Sequence, residues 1–317
     1  MNKIEYLIVS STYDYSTDLI CYKLAKHNAL YYRINRDELN KHEIVLDVKN
    51  RNLYLKIGDI EVVANFDSLK GIYFRAPVFL RTQSKAFLSL DEQLERSQWS
   101  AFIRNLIVFH NAIWINHPVN VYRAENKIFQ LFTADRVGLN IPTTLLTNTK
   151  PNRLKDKKYI IKSLDTALFY DFKNNKELFT YSNILSAHEL NKSDFMKAPV
   201  IVQNFLSRKI DCRITYIDGK MFPVKILMNQ EGLYGDWRYQ KENLVYEEFC
   251  LPESIKTKLI SLMEFLNLKF GGIDMAIYEG NYYFIEVNPT GEWGWLETVA
   301  HLEISDAICD ALMKQKW

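Results

Sequence analysis

Two carboxylate side chains and one amide side chain lie in or beside two neighbouring strand-like runs near the C-terminal end of the sequence. Asp274 lies in a strand-like run at 272–278, and Glu286 and Asn288 lie in and just after a second run at 282–287. Directly opposed residues of an antiparallel pair share a face, with Cβ atoms about 4.5–5.5 Å apart. A three-residue loop between the runs would place Asp274 opposite Glu286, and strand alternation adds Asn288. These oxygen donors suit Mg²⁺ bound with phosphate oxygens, so the pattern predicts a metal and a nucleotide.

The alternative depends on the length of the hairpin loop. A two-residue loop would shift the register by one and send Asp274 and Glu286 to opposite faces of the sheet. The two acids would then be ordinary solvated strand residues, with no reason to share a cation.

Phosphate would have to be held by side chains. The sequence has neither GxxxxGK[ST] nor GxGxxG, and only 11 glycines in all, so neither a P-loop nor a dinucleotide-binding Rossmann unit is expected. The candidate cations are Lys127, Lys162 and Arg238. A lone lysine is usually a solvated surface charge, but Lys162 ends an apolar strand-like run, where an ammonium needs an anionic partner.

The elements that must position these residues alternate between strand and helix patterns. The first part predicts a βαβ start and a long helix at 91–112, and a second helix at 119–137 ends at Gly138. From residue 211 the pattern is antiparallel, with a hairpin at Asp218-Gly219, a helix at 252–266 and a terminal helix at 299–314. We expect a mixed α/β (α+β) protein in three segments: an α/β lobe at 1–118, a small central unit at 119–205 and an antiparallel-sheet unit at 206–317.

Composition argues against several classes of partner. Lys and Arg number 40 against 38 Asp and Glu, a net charge of +2 without any block of five like charges, so neither nucleic acid nor a membrane surface is expected. No window approaches the ~18 apolar residues of a membrane span, and the N-terminus lacks a secretory pattern. The cysteines have no metal-ligand spacing and fit a reducing cytoplasm: Cys21, Cys212, Cys250 and Cys309.

The order of seven motifs resembles the ATP-grasp superfamily, and within it the RimK-like ligases. The motifs are Lys127, Lys162, VIVQNFL at 200–206, IDCRI at 210–214, DWR at 236–238, GGID at 271–274 and IEVNPTGEW at 285–293. IYFRAP at 72–77 and NPTGEWGWLE further resemble the maturases that crosslink graspetides of the microviridin type. The resemblance covers essentially the whole chain. It implies an ATP-grasp fold with an N-terminal pre-ATP-grasp α/β lobe, a small central domain and a C-terminal antiparallel-sheet domain.

The resemblance also implies roles for single residues. Lys127 and Lys162 would contact phosphates, Asp211 would bind the ribose, and Arg238, at the γ-phosphate, and Arg213 would act in catalysis. Adenine would be lined by Gln203, Asn204, Phe205 and Leu206, and Mg²⁺ would be held by Asp274, Glu286 and Asn288. Two features depart from the family: SLDTALFYDFKN, after Lys162, has no glycine where a Gly-rich phosphate-covering loop is usual, and Glu292 stands where the maturases usually have Gln.

The implied activity consumes ATP. A carboxylate would be phosphorylated to an acylphosphate, and a hydroxyl or amine would then displace phosphate without an enzyme nucleophile. The implied substrate is a ribosomal precursor peptide, with leader and core, whose Asp or Glu side chains form intramolecular esters or amides. Two alternatives stay open: a RimK-like ligase that adds a single amino acid, and a non-catalytic nucleotide- and peptide-binding module. The pattern is compatible with a homodimer, and it does not distinguish ester from amide.

Overall fold

The computed structural model describes the chain apart from residues 76–88, 152–153, 156, 165–167, 172, 174–175, 180–181, 194–197, 229–231, 233–243 and 315–317. Arg238 therefore lies outside the described residues, as does part of the segment that follows Lys162. Within the described residues, no helix is both long enough and apolar enough to cross a membrane.

The N-terminal part contains two sheets of four strands each, one of them fully parallel. Its elements are β1 (Asn2–Lys3), β2 (Tyr6–Ser10), α1 (Tyr15–Lys26), β3 (Tyr31–Asn35), β4 (Glu43–Asp47), β5 (Asn52–Ile57), β6 (Ile60–Asn65), β7 (Gly71–Phe74), α2 (Leu90–Asn105) and β8 (Ile113–Ile115). The parallel sheet has the order β3-β2-β7-β8, and the second sheet has the order β1-β6-β5-β4. The predicted βαβ start is confirmed, because β2 and β3 pair in parallel on either side of α1.

Capping residues account for where the first helices begin. Asp14 precedes α1, and its side chain accepts the backbone N–H of Thr17. Ser89 and Glu92 form a reciprocal capping box at the start of α2. The predicted helix at 91–112 is shorter than expected, since α2 ends at Asn105 and a short 3₁₀ helix follows.

The single helix predicted at 119–137 is in fact two helices, α3 (Pro118–Ala124) and α4 (Lys127–Arg136). The break occurs at Asn126, whose side-chain amide donates to the carbonyls of Tyr122 and Arg123 at the end of α3. The backbone of Asn126 is extended, so a new helix starts directly after it. The break makes Lys127 the first residue of α4.

The central part is an antiparallel sheet of four strands beside a two-stranded ribbon. Its elements are β9 (Thr144–Thr147), β10 (Lys158–Lys162), β11 (Leu168–Asp171), β12 (Lys176–Phe179), β13 (Asn183–Ser186), α5 (Ala187–Lys192) and β14 (Val200–Asn204). The sheet has the order β13-β10-β14-β9, and the ribbon pairs β11 with β12. Within the described residues, one hydrophobic cluster in this part has four buried members: Tyr159, Ala187, Leu190 and Val202.

The C-terminal part is built on an antiparallel sheet of five strands, in the order β17-β16-β15-β18-β19. Its elements are β15 (Ile210–Ile217), β16 (Lys220–Met228), β17 (Leu244–Glu248), α6 (Glu253–Leu266), β18 (Phe270–Tyr278), β19 (Asn281–Asn288), α7 (Gly294–Ala300) and α8 (Ile304–Met313). The predicted terminal helix at 299–314 is divided into α7 and α8. His301 ends α7 in the left-handed region, and Glu297 accepts the N–H and hydroxyl of Ser305 at the start of α8.

Helix packing crosses the segment boundaries that the sequence predicts at residues 118 and 205. Helices α3 and α4 pack against α6, and α4 also contacts β19. Helix α8 packs against α1 and against β7 and β8 of the N-terminal sheet. One buried cluster therefore joins Ile8 of β2 to Ile308 and Leu312 of α8. The three-segment division itself stays a prediction.

Candidate functional site

The loop of the β18–β19 hairpin has two residues, and the predicted three-residue loop is wrong. Tyr278 lies opposite Asn281, so only Glu279 and Gly280 connect the strands. Both loop residues have positive φ, at 49° and 75°, which is the backbone of a type I′ turn and explains the glycine. By itself this turn would place Asp274 and Glu286 on opposite faces of the sheet.

A β-bulge restores the pairing of the two acids. Met275 lies opposite Phe284, whereas the next pair is Asp274 opposite Glu286, which leaves Ile285 as the extra residue of β19. The predicted opposition of Asp274 and Glu286 is therefore confirmed, although it arises from a bulge and not from loop length. Asn288 lies opposite Gly272, one step further along the same face.

Two basic side chains approach the acids. Arg213 lies opposite Asp274 on β15, and its Nη1 donates to Asp274 Oδ1 at 2.9 Å. The Nζ of Lys127, at the start of α4, is 3.9 Å from Glu286 Oε2. The site thus already contains two cations and two anions. Charge balance alone does not require a metal here, and an arriving phosphate would bring the charge that a metal would neutralise.

The Arg213 guanidinium lies in a slot between two glycines. Its residue is 7% exposed. A Cβ at Gly272 would lie 2.2 Å from its Nη2, and a Cβ at Gly291 would lie 2.5 Å from the same atom, so any larger residue would displace the guanidinium. Nη2 donates to the Glu292 carbonyl at 3.3 Å. Nε has no hydrogen-bond partner among the described residues.

The donor set fits Mg²⁺ that is bound together with phosphate. In the described part of the chain, no three His, Cys, Asp or Glu side chains are grouped so that they could hold a metal ion by themselves. The candidate ligands are two carboxylates and the amide of Asn288, which is exposed. Mg²⁺ commonly takes one or two carboxylates and completes its octahedron with phosphate oxygens and water.

Sequence reasoning missed the side chain that holds this part of β19. Gln130 of α4 is 2% exposed. Its Nε2 donates to the carbonyls of Ala124 and Val287 at 2.5 and 2.7 Å, and its Oε1 accepts the N–H of Val287 at 2.8 Å. Val287 lies between Glu286 and Asn288, so Gln130 fixes the backbone that carries both side chains. A glutamine on the apolar face of a helix was the available signal.

Asn116, just after β8, is a second buried amide that sequence reasoning missed. Its Oδ1 accepts the N–H groups of Lys269 and Phe270 at 2.8 and 2.9 Å. Its Nδ2 donates to the carbonyls of Phe270 and Pro289 at 2.7 and 2.9 Å. Asn116 therefore ties the start of β18 to the residue that follows β19, at the Asn288 end of the site.

A second group of predicted residues meets on the central sheet. Lys162 Nζ donates to Gln203 Oε1 at 3.0 Å, and Gln203 Nε2 donates to Thr144 Oγ1 at 2.8 Å. Gln203 is 3% exposed. The structure thus brings Lys162 and Gln203 together, and the amide of Gln203 orients the lysine.

The segment predicted to line adenine joins the central sheet to β15. The N–H groups of Asn204 and Phe205 donate to the carbonyls of Thr143 and Lys158 at 2.9 and 3.2 Å. Those two N–H groups are therefore used within the sheet. A backbone N–H that contacts adenine would have to come from Leu206. Asp211, the predicted ribose ligand, accepts a hydrogen bond from Lys209, a residue that sequence reasoning missed.

Glu292, where the sequence departs from the maturase pattern, forms an ion pair. Its Oε2 lies 2.8 Å from Nη2 of Arg75, at the end of the N-terminal sheet. The N-terminal lobe therefore contacts the loop that also holds Arg213.

This arrangement of sheets is similar to that of solved structures over nearly the whole chain. A RiPP-associated ATP-grasp ligase of Chryseobacterium gregarium, in complex with ADP and with a leader and core peptide, superposes with a TM-score of 0.84 at 23% identity, over 98% of this chain and 96% of that chain. The macrocyclase MdnC of Microcystis aeruginosa, bound with its precursor peptide MdnA, gives 0.83 at 21% identity, over 98% and 99%. The chain has the ATP-grasp fold.

The ATP-grasp ligase PsnB, complexed with a phosphomimetic variant of a minimal precursor, Mg and ADP, is also similar. Its TM-score is 0.74 at 17% identity, over 99% of each chain. No family model and no curated protein matches the sequence. The ATP-grasp fold confirms the mixed α/β architecture that the motif order implied.

Proposed function

We propose that this ATP-grasp protein is a peptide ligase. It would activate Asp or Glu side chains of a ribosomal precursor peptide as acylphosphates and join them to hydroxyls or amines of the same peptide, as esters or amides. The observation that carries the proposal is the row in which Asp274 and Glu286 face each other between Arg213 and Lys127. Paired acids flanked by basic side chains suit a metal-bound polyphosphate.

Each predicted residue receives a role in this proposal. Asp274, Glu286 and Asn288 hold Mg²⁺, which when bound neutralises charge on the phosphates. Lys127 and Lys162 contact phosphate oxygens, and Arg213 and Arg238 stabilise charge on the transferring phosphoryl group. The base and ribose are bound by the segment at 203–206 and by Asp211.

The chemistry needs positioning and charge stabilisation, with no covalent enzyme intermediate. A peptide carboxylate oxygen attacks the γ-phosphorus, and ADP leaves. An acceptor hydroxyl or amine of the same peptide then attacks the acyl carbon and gives up a proton to the departing phosphate, which leaves with the electron pair of the broken C–O bond. Arg213 is held in place by Asp274 and the Glu292 carbonyl, so little reorganisation is needed when charge develops.

A peptide is the substrate class that the comparisons support. MdnC, the Chryseobacterium ligase and PsnB were each solved with precursor or leader and core peptides. We propose that this chain likewise binds a leader, which raises the effective concentration of the core without fixing any one acid. We also propose that it acts in the cytoplasm, since all four of its cysteines are free. The homodimer stays a prediction.

The test is co-expression with a short acid-containing peptide encoded beside the gene, followed by mass spectrometry. We expect loss of one water for each crosslink, with one ADP formed per water lost. Glu286→Gln should abolish the loss of water. Glu279→Gln is the matched control, because Glu279 belongs to the same hairpin but lies in its loop, and it should leave the products unchanged. Efficient ligation of a free amino acid, with no water lost from any peptide, would establish the single-amino-acid alternative instead.

A further inference from the structure

The segment from the end of β19 to the first residue of α7, residues 289–294 and here called the 289–294 loop, is bonded to the N-terminal lobe at successive residues. The Gly291 carbonyl accepts from Arg75 Nη1 at 2.7 Å, and Glu292 Oε2 lies 2.8 Å from Arg75 Nη2. The Trp293 indole donates to the Tyr73 hydroxyl at 3.1 Å, and the Gly294 N–H donates to Ser16 Oγ at 3.0 Å. The 289–294 loop is therefore held from β7 and from the start of α1.

The contact is tightly packed at Gly294 and Trp293. A Cβ at Gly294 would lie 2.6 Å from Ser16 Oγ. Trp293 and Tyr73 are both fully buried and belong to the cluster that joins the N-terminal sheet to α8. The loop cannot shift without breaking this packing.

Arg75 is the centre of the contact. Its side chain is 6% exposed, although it carries a full charge. Its Nε donates to Asp14 Oδ2 at 3.1 Å, while its two other nitrogens hold the loop. Asp14 is itself fixed by the hydroxyls of Ser10 and Thr17, at 2.7 and 2.8 Å. The rigid fork of a guanidinium can serve three acceptors in this way, and a lysine ammonium cannot match its planar geometry.

The same loop forms one wall of the Arg213 slot. Arg213 Nη2 donates to the Glu292 carbonyl at 3.3 Å, and Gly291 closes the slot above the guanidinium. Arg213 Nη1 bonds Asp274, the proposed metal ligand. One series of polar contacts thus runs from Asp14 through Arg75, the loop and Arg213 to Asp274.

We propose that Arg75 is a positioning residue for the Mg²⁺–nucleotide site, acting through Arg213. It holds the 289–294 loop so that the loop keeps the Arg213 guanidinium beside Asp274, which makes the N-terminal lobe part of the phosphate-binding machinery. The proposal rests on the ATP-binding part of the proposed function and not on the identity of the peptide. Without Arg75, the loop no longer holds the Arg213 guanidinium in its place beside Asp274.

The test is calorimetry of Mg²⁺ with AMPPNP, a non-hydrolysable ATP analogue, with no peptide present. Arg75→Gln should weaken binding of the nucleotide about ten-fold, which is the usual effect of losing one charge-assisted hydrogen bond. Arg75→Lys keeps a charge beside Asp14 and should fold, but it should still bind several-fold more weakly. Arg51→Gln is the matched control, because Arg51 pairs with Asp67 on the exposed surface of the same lobe, and it should bind as the wild type does.

The decisive variant combines Arg75→Lys with Arg213→Lys. If Arg75 acts through Arg213, the double variant binds no more weakly than Arg213→Lys alone. Losses that multiply would overturn the positioning role, as would unchanged affinity in Arg75→Lys. Because no peptide is present, a wrong substrate assignment leaves these results unaffected, whereas a wild type that binds no Mg²⁺–nucleotide overturns both proposals.

Discussion

The two sheets that carry the proposed nucleotide residues differ in the core behind them. The C-terminal sheet is covered by α4 and α6, with residues such as Leu259, Leu262 and Phe284 fully buried. The hydrophobic cluster on the central sheet has four buried members among the described residues. Local opening requires less free energy where fewer apolar side chains are buried. We therefore expect the C-terminal sheet, which carries the proposed metal ligands, to be rigid. We expect the central sheet, which carries Lys162, to open and close for nucleotide exchange.

The polar contacts follow the same division. In the C-terminal sheet, the buried amides of Gln130 and Asn116 each hold backbone groups next to the proposed metal ligands. In the central sheet, Lys162 is oriented by the side chain of Gln203. The buried amides of the C-terminal sheet therefore hold backbone, whereas the buried amide of Gln203 in the central sheet holds a side chain.

The largest expected effect compares the two cores directly. Leu262→Ala should destabilise the whole protein by about 2–5 kcal/mol, the usual cost of truncating a buried leucine. Leu190→Ala removes the same atoms from the small core, so it should open the central sheet locally with a smaller loss of global stability. Hydrogen exchange read by mass spectrometry distinguishes the two results. Equal protection losses in both sheets after Leu190→Ala would contradict the comparison.

A second prediction concerns Gln130, the buried amide beside the proposed metal ligands. Gln130→Leu leaves the N–H and carbonyl of Val287 unpaired in a buried position, which should cost about 1–3 kcal/mol per buried group. Chemical denaturation measures this loss. Gln98→Leu on the exposed surface of α2 is the control and should change stability little. If Gln130→Leu is as stable as the control, Gln130 does not hold β19.

The loop of the β18–β19 hairpin illustrates how much can be predicted from the sequence. The strand alternation around Asp274 and Glu286 was visible, but the pairing came from a bulge at Ile285. A bulge has no marker in an apolar strand, because its extra residue resembles its neighbours. Sequence motifs likewise located Lys162 and Gln203 but not their mutual contact.

Residues whose partners are distant in sequence could not be predicted in the same way. Arg75 and Gly291 are separated by 216 positions, and Asn116 and Phe270 by 154. Their pairing follows from how the lobes pack, which hydrophobic periodicity does not encode. Gln130 is the exception, since a polar residue on a buried helix face indicates a hidden partner.

A third prediction tests whether Lys162, on the central sheet, contacts phosphate. Lys162→Ala should weaken AMPPNP binding about ten-fold, because one charge-assisted hydrogen bond is lost. Lys157→Ala, one residue before the same strand and exposed, serves as the control in the same calorimetry. Equal affinities for the two variants would mean that Lys162 is only a charge at the end of a strand.

The smallest expected effect concerns pH. Burial favours the neutral form of Asp14, but Arg75 and the hydroxyls of Ser10 and Thr17 outweigh it and hold the pKa below its ordinary value. The carboxylate therefore stabilises the fold at neutral pH, and this contribution is lost as the pH falls through the folded-state pKa. The melting temperature of Asp14→Asn should lie below that of the wild type at neutral pH, and the gap should narrow below about pH 4. A gap that is independent of pH would show that the charge of Asp14 is not what matters.

The central claim is that Asp274, Glu286 and Asn288 bind a metal with the nucleotide, and Mg²⁺-dependent AMPPNP binding by Glu286→Gln tests it most directly. Gln keeps the shape of the side chain but removes the charge, so the melting temperature should hold. The wild type and Glu279→Gln should bind AMPPNP tightly only when Mg²⁺ is present. Glu286→Gln should lose about ten-fold or more of that Mg²⁺-dependent affinity. Equal Mg²⁺-dependent affinity in Glu286→Gln and the wild type would contradict the metal site.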